Sequence, residues 1–181
     1  MWRPAPKAGI APSGNSIRTF VLYIFLQMLV FFGVYGAALA DIMPDAAPRF
    51  ASVEIELQPA VHKAPVRFMV KLAETETQRS YGLMHTPYLP DRHGMLFVFD
   101  TAALRQFWMK NTQIPLDLLF FDADGMLVNI IHSATPFSLT PRVSAGPARY
   151  VLEINGGQAA NLGVRASARL ILPLPVPSNR Q

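Results

Sequence analysis

Two stretches after residue 50 alternate apolar and polar positions with a period of two. They are "SVEIELQ", residues 52–58, and "VRFMVKL", residues 66–72. In each, every second residue is a large aliphatic or aromatic one, and the residues between are mostly charged or polar. This pattern predicts two half-buried β-strands. The segment "AVHKAP" between them is a plausible hairpin connection.

The period then changes, which predicts a short helix. "TETQ", residues 75–78, matches a capping box, in which Thr75 and Gln78 each bond the other's backbone N–H group. Gly82 is well placed to end this helix. A second short helix is predicted over "QAANLG", residues 158–163, after the break at "NGG".

Five further segments predict strands. "GMLFVF" is a continuous apolar run too short for a helix, which favours a strand buried on both faces. Two apolar runs flank "DADG", and Asp-Gly favours a tight hairpin turn. The five segments are "GMLFVF" (94–99), "QFWM" (106–109), the hairpin "IPLDLLFFDADGMLVNIIH" (114–132), "RYVLEI" (149–154) and "ARLILPL" (168–174).

Together these elements predict a mostly β fold, a β-rich α+β domain. About seven or eight short strands with consecutive hairpins indicate antiparallel pairing, and the two short helices can plug the ends. We therefore expect a small antiparallel barrel or closed sandwich.

The first forty residues predict a signal peptide. Three basic residues and no acid precede "TFVLYIFLQMLVFFGVYGAALA", an uncharged run that ends in an Ala-x-Ala pattern. The alternative is an uncleaved membrane anchor, since about 20 apolar residues span a bilayer. We expect residues 1–40 to be the signal peptide, 41–50 a flexible mature N-terminus, 51–173 one β-rich domain and 174–181 a Pro-rich tail. The domain is then exported, periplasmic or extracellular.

Charge and cysteine content narrow the function classes. Cleavage after Ala40 leaves 13 basic and 12 acidic residues, a net charge of +1. The mature chain therefore gives no electrostatic reason to expect nucleic acid as a partner. The chain has no Cys, which excludes disulfides and thiolate chemistry. We find no metal-ligand spacing and no nucleophile motif, so no metal and no cofactor are expected.

Four motifs resemble one known family. "GLM" (82–84), "GMLFVF", "FWMKNTQIPLDLLFFDADG" (107–125) and "VLEINGG" (151–157) occur in the order and spacing of the domain of unknown function 192 family, small and often exported bacterial and archaeal proteins. The resemblance spans about residues 52–172 and implies a compact β-rich fold without an assigned activity. Two positions depart from the family pattern: His85 replaces an Arg, and Ser167-Ala168 replaces Gly-Asp. Chemistry that depends on those positions is not expected here.

The segment from Phe107 to Asp117 is the first candidate site. One interpretation is structural: Asn111 and Asp117 pin a Pro-interrupted loop by accepting from backbone N–H groups. The other is a binding site, in which Lys110, Asn111 and Asp117 form a polar floor under an aromatic wall from Trp108.

Glu153 is the second candidate, because it lies between apolar residues of a predicted core strand. A buried Glu needs a partner, and we expect an ion pair with Arg79 first and Lys110 second. Alternatively, Glu153 and Asp117 form a general acid–base pair, as in glycosidases.

These candidates leave three functions open. The first is an exported domain that binds a small amphipathic ligand or an envelope or periplasmic partner, the latter through a patch near Tyr81, Met84 and Tyr88. Its binding residues are then Arg79, Trp108, Lys110, Asn111, Asp117 and Glu153. The second is a glycosidase-like hydrolase that uses Asp117 and Glu153 as its catalytic residues. The third is a structural accessory protein. An enzyme requires Asp117 and Glu153 to converge in a cleft, whereas a ligand-binding protein requires a pocket lined by Trp108 with free polar groups.

Overall fold

The computed structural model of the chain describes residues 47–173. The predicted signal peptide, residues 41–46 and the Pro-rich tail 174–181 lie outside this range. The elements in chain order are β1 (Ser52–Gln58), β2 (Val66–Ala73), α1 (Glu76–Tyr81), β3 (His93–Ala103), β4 (Gln106–Phe107), β5 (Leu116–Phe121), β6 (Leu127–Ala134), β7 (Arg142–Val143), β8 (Ala148–Asn155), α2 (Gln158–Leu162) and β9 (Arg169–Ile171).

The mostly β fold class is confirmed. Seven strands form one curled half-barrel sheet in the order β6-β5-β8-β3-β2-β1-β9, and β4 pairs with β7 in a separate two-stranded sheet. The β1–β2 and β5–β6 pairs are antiparallel, as the predicted hairpin connections require. The pairing is not antiparallel throughout, since β2 and β3 run parallel. Helix α1 lies in the connection between these two strands, as a parallel crossover requires.

The first helix begins and ends where the sequence indicates. The Thr75 hydroxyl accepts from the Gln78 N–H at 3.2 Å, and the Gln78 side chain accepts from the Thr75 N–H at 3.0 Å. Gly82 ends the helix with φ of 52°, a value that glycine adopts readily. This fixed start determines which face of α1 meets the sheet, and so positions Arg79 in its last turn.

The large sheet has an apolar cluster on each face. The first cluster includes Val70, Leu96, Leu119 and Leu152. The second includes Met95, Phe97, Leu118, Phe120 and Val151. Adjacent strand residues alternate between the clusters, because side chains along a strand point to opposite faces. This explains why β5 is buried along its whole length.

Two local predictions need correction. Only Gln106 and Phe107 of "QFWM" lie in a strand, so Trp108 is in the loop that follows. In the described part of the predicted flexible N-terminus, the Arg49 carbonyl accepts from the Gln78 side chain at 2.7 Å, and the Phe50 ring lies 6.4 Å from that of Tyr81. Contact with α1 therefore holds residues 49 and 50 against the domain.

Candidate functional site

A pocket of about 380 Å³ lies between helix α1 and the segment around β4. Its size is within the range usual for small-molecule sites. Aromatic side chains form much of its wall and three cations reach it. Two carboxyl groups line it, that of Glu76 on α1, which is exposed, and that of Glu153 on the sheet, which is buried. Its lining includes Arg79, Phe99, Arg105, Trp108, Lys110 and Glu153.

Glu153 places an ionisable group among apolar residues of the large sheet. On β8 it lies opposite Leu118 of β5 and Met95 of β3, so both of its neighbours across the sheet are apolar. The residue is only 5% exposed. Within residues 47–173, its carboxyl group has no ion pair and no hydrogen-bond partner. Burial raises the pKa of Glu153 from 4.5 to about 8, because the charged form loses its hydration.

The predicted ion pair between Arg79 and Glu153 is wrong for the described residues. Arg79 instead pairs with Glu76 at 3.2 Å, one helical turn away, and donates to the Val98 carbonyl at 3.1 Å. The second predicted partner, Lys110, lines the pocket but makes no ion pair with Glu153 either. Residues three or four positions apart are neighbours on the surface of a helix. Arg79 therefore pairs with Glu76 on its own helix rather than with Glu153 across the pocket.

The predicted acid–base pair of Asp117 and Glu153 is also not formed. Asp117 lies opposite Ile154 on β8, one residue from Glu153. Because adjacent residues point to opposite faces, the two carboxyl groups lie on opposite sides of the sheet. Asp117 does not line the pocket.

Asp117 instead has the structural role that the sequence offered as one interpretation. It is fully buried and accepts from the backbone N–H groups of Ser133 at 2.7 Å, Gly157 at 2.9 Å and Ala159 at 2.8 Å. The carboxylate thereby joins β6 to the start of α2. It also occupies the backbone N–H groups of Gly157 and Ala159 at the start of α2, so these two groups are not free to bind an anion.

The predicted polar floor under Trp108 is only partly present. Trp108 is 53% exposed and lines the pocket together with Lys110. Asn111 is not part of the lining. It adopts a left-handed conformation with φ of 54°, its carbonyl accepts from the His85 N–H at 2.9 Å, and its side chain donates to the Met84 sulfur at 3.9 Å. Asn111 therefore holds the loop after α1, but through its backbone carbonyl and a contact with the Met84 sulfur rather than by its side chain accepting from backbone N–H groups as predicted.

Arg105 is a pocket residue that the sequence interpretation missed. Its guanidinium lies over the Phe99 ring at 3.7 Å, while Arg79 lies over the same ring at 5.0 Å. Its side chain also donates to the carbonyls of Ala148, at 3.1 Å, and Thr101. Burial and the charge of Arg79 both lower the pKa of Arg105. The one sequence signal was that residues 101–116 contain two cations and no acid.

The family model described as "Uncharacterized ACR", DUF192, matches residues 58–172. The chain belongs to the domain of unknown function 192 family. The resemblance seen in its motifs is thereby confirmed. No curated protein sequence matches the chain at a significant level.

Two solved structures resemble this DUF192 domain. One, from Sinorhizobium meliloti 1021, is described as a candidate transcription regulator; it is 36% identical, with a TM-score of 0.65 over 68% of this chain and 95% of the other. The other, a protein of unknown function from Novosphingobium aromaticivorans DSM 12444, is 35% identical, with a TM-score of 0.63 over 68% of this chain and 93% of the other. Both support the fold assignment.

The two departures from the DUF192 pattern occupy structural positions here. The His85 ring lies 6.2 Å from the Tyr81 ring, and its backbone bonds Asn111. The Ser167 hydroxyl accepts from the Val61 N–H at 3.3 Å, and the buried Ala168 accepts from the Leu127 N–H through its carbonyl at 3.0 Å. Neither position lines the pocket.

Two negative findings apply to residues 47–173. No group of three or more potential metal-ligating side chains is close enough to hold an ion. Over the same range, none of the helices has the length and apolar character needed to cross a bilayer.

Proposed function

We propose that this DUF192 domain is an exported protein that binds a small amphipathic ligand in the pocket beside α1. The observation that carries the proposal is Glu153, a buried carboxyl group that lies in a pocket and has no partner among the described residues. Buried polar groups normally have a hydrogen-bond partner, either in the protein or from ordered water. An unsatisfied one in a pocket fits a group that a ligand satisfies.

The wall of the pocket favours an amphipathic ligand. Phe97 and Phe107 meet edge to face at 4.9 Å, which gives a rigid apolar surface. Trp108 adds an exposed ring near the opening, and Lys110 and Arg105 supply charge. A mostly apolar surface with a few polar groups is the usual composition of small-molecule sites.

The other two functions have less support from this geometry. A glycosidase-like reaction needs two carboxyl groups facing one substrate, whereas Asp117 and Glu153 lie on opposite faces of the sheet. A purely structural role explains Asp117 and Asn111 but gives no reason for an unpartnered Glu153. The ligand-binding role accounts for it.

Export is part of the proposal and rests on the leader sequence. We expect mass spectrometry of the protein from its native compartment to show a mature chain that begins at Asp41. A mature chain that retains residues 19–40 would instead indicate a membrane-anchored domain.

The binding function is tested by isothermal titration with a panel of small aromatic and aliphatic acids, amines, amino acids and neutral sugars. We expect at least one panel member to bind, and Trp108→Ala to weaken it about tenfold, since aromatic anchors commonly contribute more than 1 kcal/mol. The matched control is Tyr88→Ala, because Tyr88 is 71% exposed and lies outside the pocket. Binding by no compound, or equal loss in both variants, would contradict the proposal.

A further inference from the structure

We propose that the pocket selects a small zwitterion, whose ammonium group pairs with Glu153 and whose anionic group pairs with Arg105 and Lys110. The inference rests on the proposed function and names the chemical class of its ligand. It follows from the placement of one buried carboxyl group and three cations around an aromatic wall.

The inner part of the pocket suits an ammonium group. Glu153 has only apolar neighbours across the sheet and no cation close enough to form an ion pair within the described chain. Rings from Tyr81, Phe97 and Phe107 also line the pocket. Aromatic faces attract cations, and a buried carboxylate supplies the compensating charge, so together they favour a ligand ammonium.

The cations that reach the pocket suit an anionic group. Arg79 already pairs with Glu76 at 3.2 Å and donates to the Val98 carbonyl at 3.1 Å. Lys110 is exposed and forms no ion pair among residues 47–173. Arg105 has one terminal nitrogen that donates to neither the Ala148 nor the Thr101 carbonyl. Two cations therefore remain for a ligand carboxylate or similar group.

The ligand must carry its positive and negative charges on two different groups. No ion pair within 4.0 Å joins Glu153 to Arg79, Arg105 or Lys110, so one small ion cannot serve both ends. A ligand with only an ammonium group is repelled by the positive charges of Arg105 and Lys110. A ligand with only a carboxylate leaves Glu153 without a partner. A zwitterion with an apolar side group satisfies both charged ends and contacts the aromatic wall.

Binding of an ammonium group has a distinctive proton balance. At pH 7 the free protein holds Glu153 mostly protonated, because its pKa is about 8. Pairing with a cation favours the carboxylate, so Glu153 loses its proton to solvent as the ligand binds. A ligand that only accepts a hydrogen bond from Glu153 leaves the proton in place.

The test compares matched triplets by isothermal titration at pH 7. Each triplet is an amino acid, the amine that lacks its carboxylate and the acid that lacks its ammonium: phenylalanine, phenethylamine and 3-phenylpropionate; tryptophan, tryptamine and indole-3-propionate; leucine, isopentylamine and 4-methylpentanoate. We expect one or more of the amino acids to bind at least about tenfold tighter than both analogues, one compensated charge contributing about 1.4 kcal/mol or more. Titration in phosphate and Tris buffers should show release of nearly one proton for each ligand bound.

Two variants assign the effect to its residues. Glu153→Gln should remove the proton release and the preference over the acid, whereas Glu54→Gln on the exposed face of β1 should change neither. Lys110→Gln should reduce the preference over the amine, with Lys71→Gln as its control. Binding by no zwitterion, or equal binding of an acid without proton release, would overturn the inference. In the latter case the pocket still binds ligands, so the proposed function stands; if no panel compound binds, both fail.

Discussion

Replacing Glu153 by glutamine is expected to make the domain more stable at pH 9 and to change its stability at pH 5 by less than about 1 kcal/mol. The physical reason is the raised pKa of Glu153, from 4.5 to about 8. Below pH 4.5 the carboxyl group is protonated in both the folded and the unfolded protein, so it has no linkage effect. Above pH 4.5 the unfolded chain releases the proton while the folded chain retains it. The free energy of unfolding therefore falls as the pH rises from about 4.5 to about 8, and then levels off.

The size of this effect follows from the difference between the pKa of Glu153 in the folded and in the unfolded protein. A difference of about 3.5 pKa units corresponds to about 3–5 kcal/mol. Urea denaturation of both proteins at pH 5, 7 and 9 measures it, with Glu54→Gln as a control for general pH effects. A wild-type protein whose stability matches that of Glu153→Gln at every pH would show that the pKa of Glu153 is not raised in the folded state.

Replacing Asp117 by alanine is expected to lower the free energy of unfolding by about 3–5 kcal/mol at pH 7. The substitution removes the acceptor of three backbone N–H groups, those of Ser133, Gly157 and Ala159, in a fully buried position. Each unsatisfied buried donor costs about 1–3 kcal/mol, and partial relaxation reduces the sum.

The matched control for this prediction is Asp122→Ala. Asp122 also accepts two backbone N–H groups, from Asp124 at 2.9 Å and Met126 at 2.8 Å, but these bonds are exposed in the β5–β6 turn. Water replaces the lost acceptor there, so we expect a loss of about 1 kcal/mol. Urea midpoints and slopes of both variants decide the comparison. Similar losses in the two would mean that burial adds nothing to the role of Asp117.

Local features of the sequence predicted local structure well. The Thr75 capping box, the Gly82 end of the helix and the Asp-Gly hairpin depend on neighbours within a few residues, and all three are confirmed. The parallel β2–β3 pair was not predicted. This pairing depends on the path of the chain through α1 back to the sheet, and the hydrophobic periodicity of the sequence does not specify that path.

In the candidate site, too, local features were predicted from the sequence, and features that depend on pairing between distant strands were not. The apolar neighbours of Glu153 in sequence indicated that it could be buried, and it is. Trp108 and Lys110, two of the proposed binding residues, line the pocket. The relation between Glu153 and Asp117 depends on the register of β8 against β5, which a single sequence does not specify. Arg105 was missed because its contact with Phe99 forms only when the chain turns back after β3.

The contact between residues 125–127 and the last strand has a consequence for association between chains. The backbone of Gly125 and Leu127 bonds Leu170 and Ala168, which covers one edge of the curled sheet. At the other edge, the Asn129 side chain on β6 accepts from the Ala145 N–H at 2.9 Å. A strand edge that is already bonded, or that is covered by a loop, is a poor template for a strand from another molecule. A protein rich in β-strands and free of disulfides is thereby protected from edge-to-edge aggregation by its own turns.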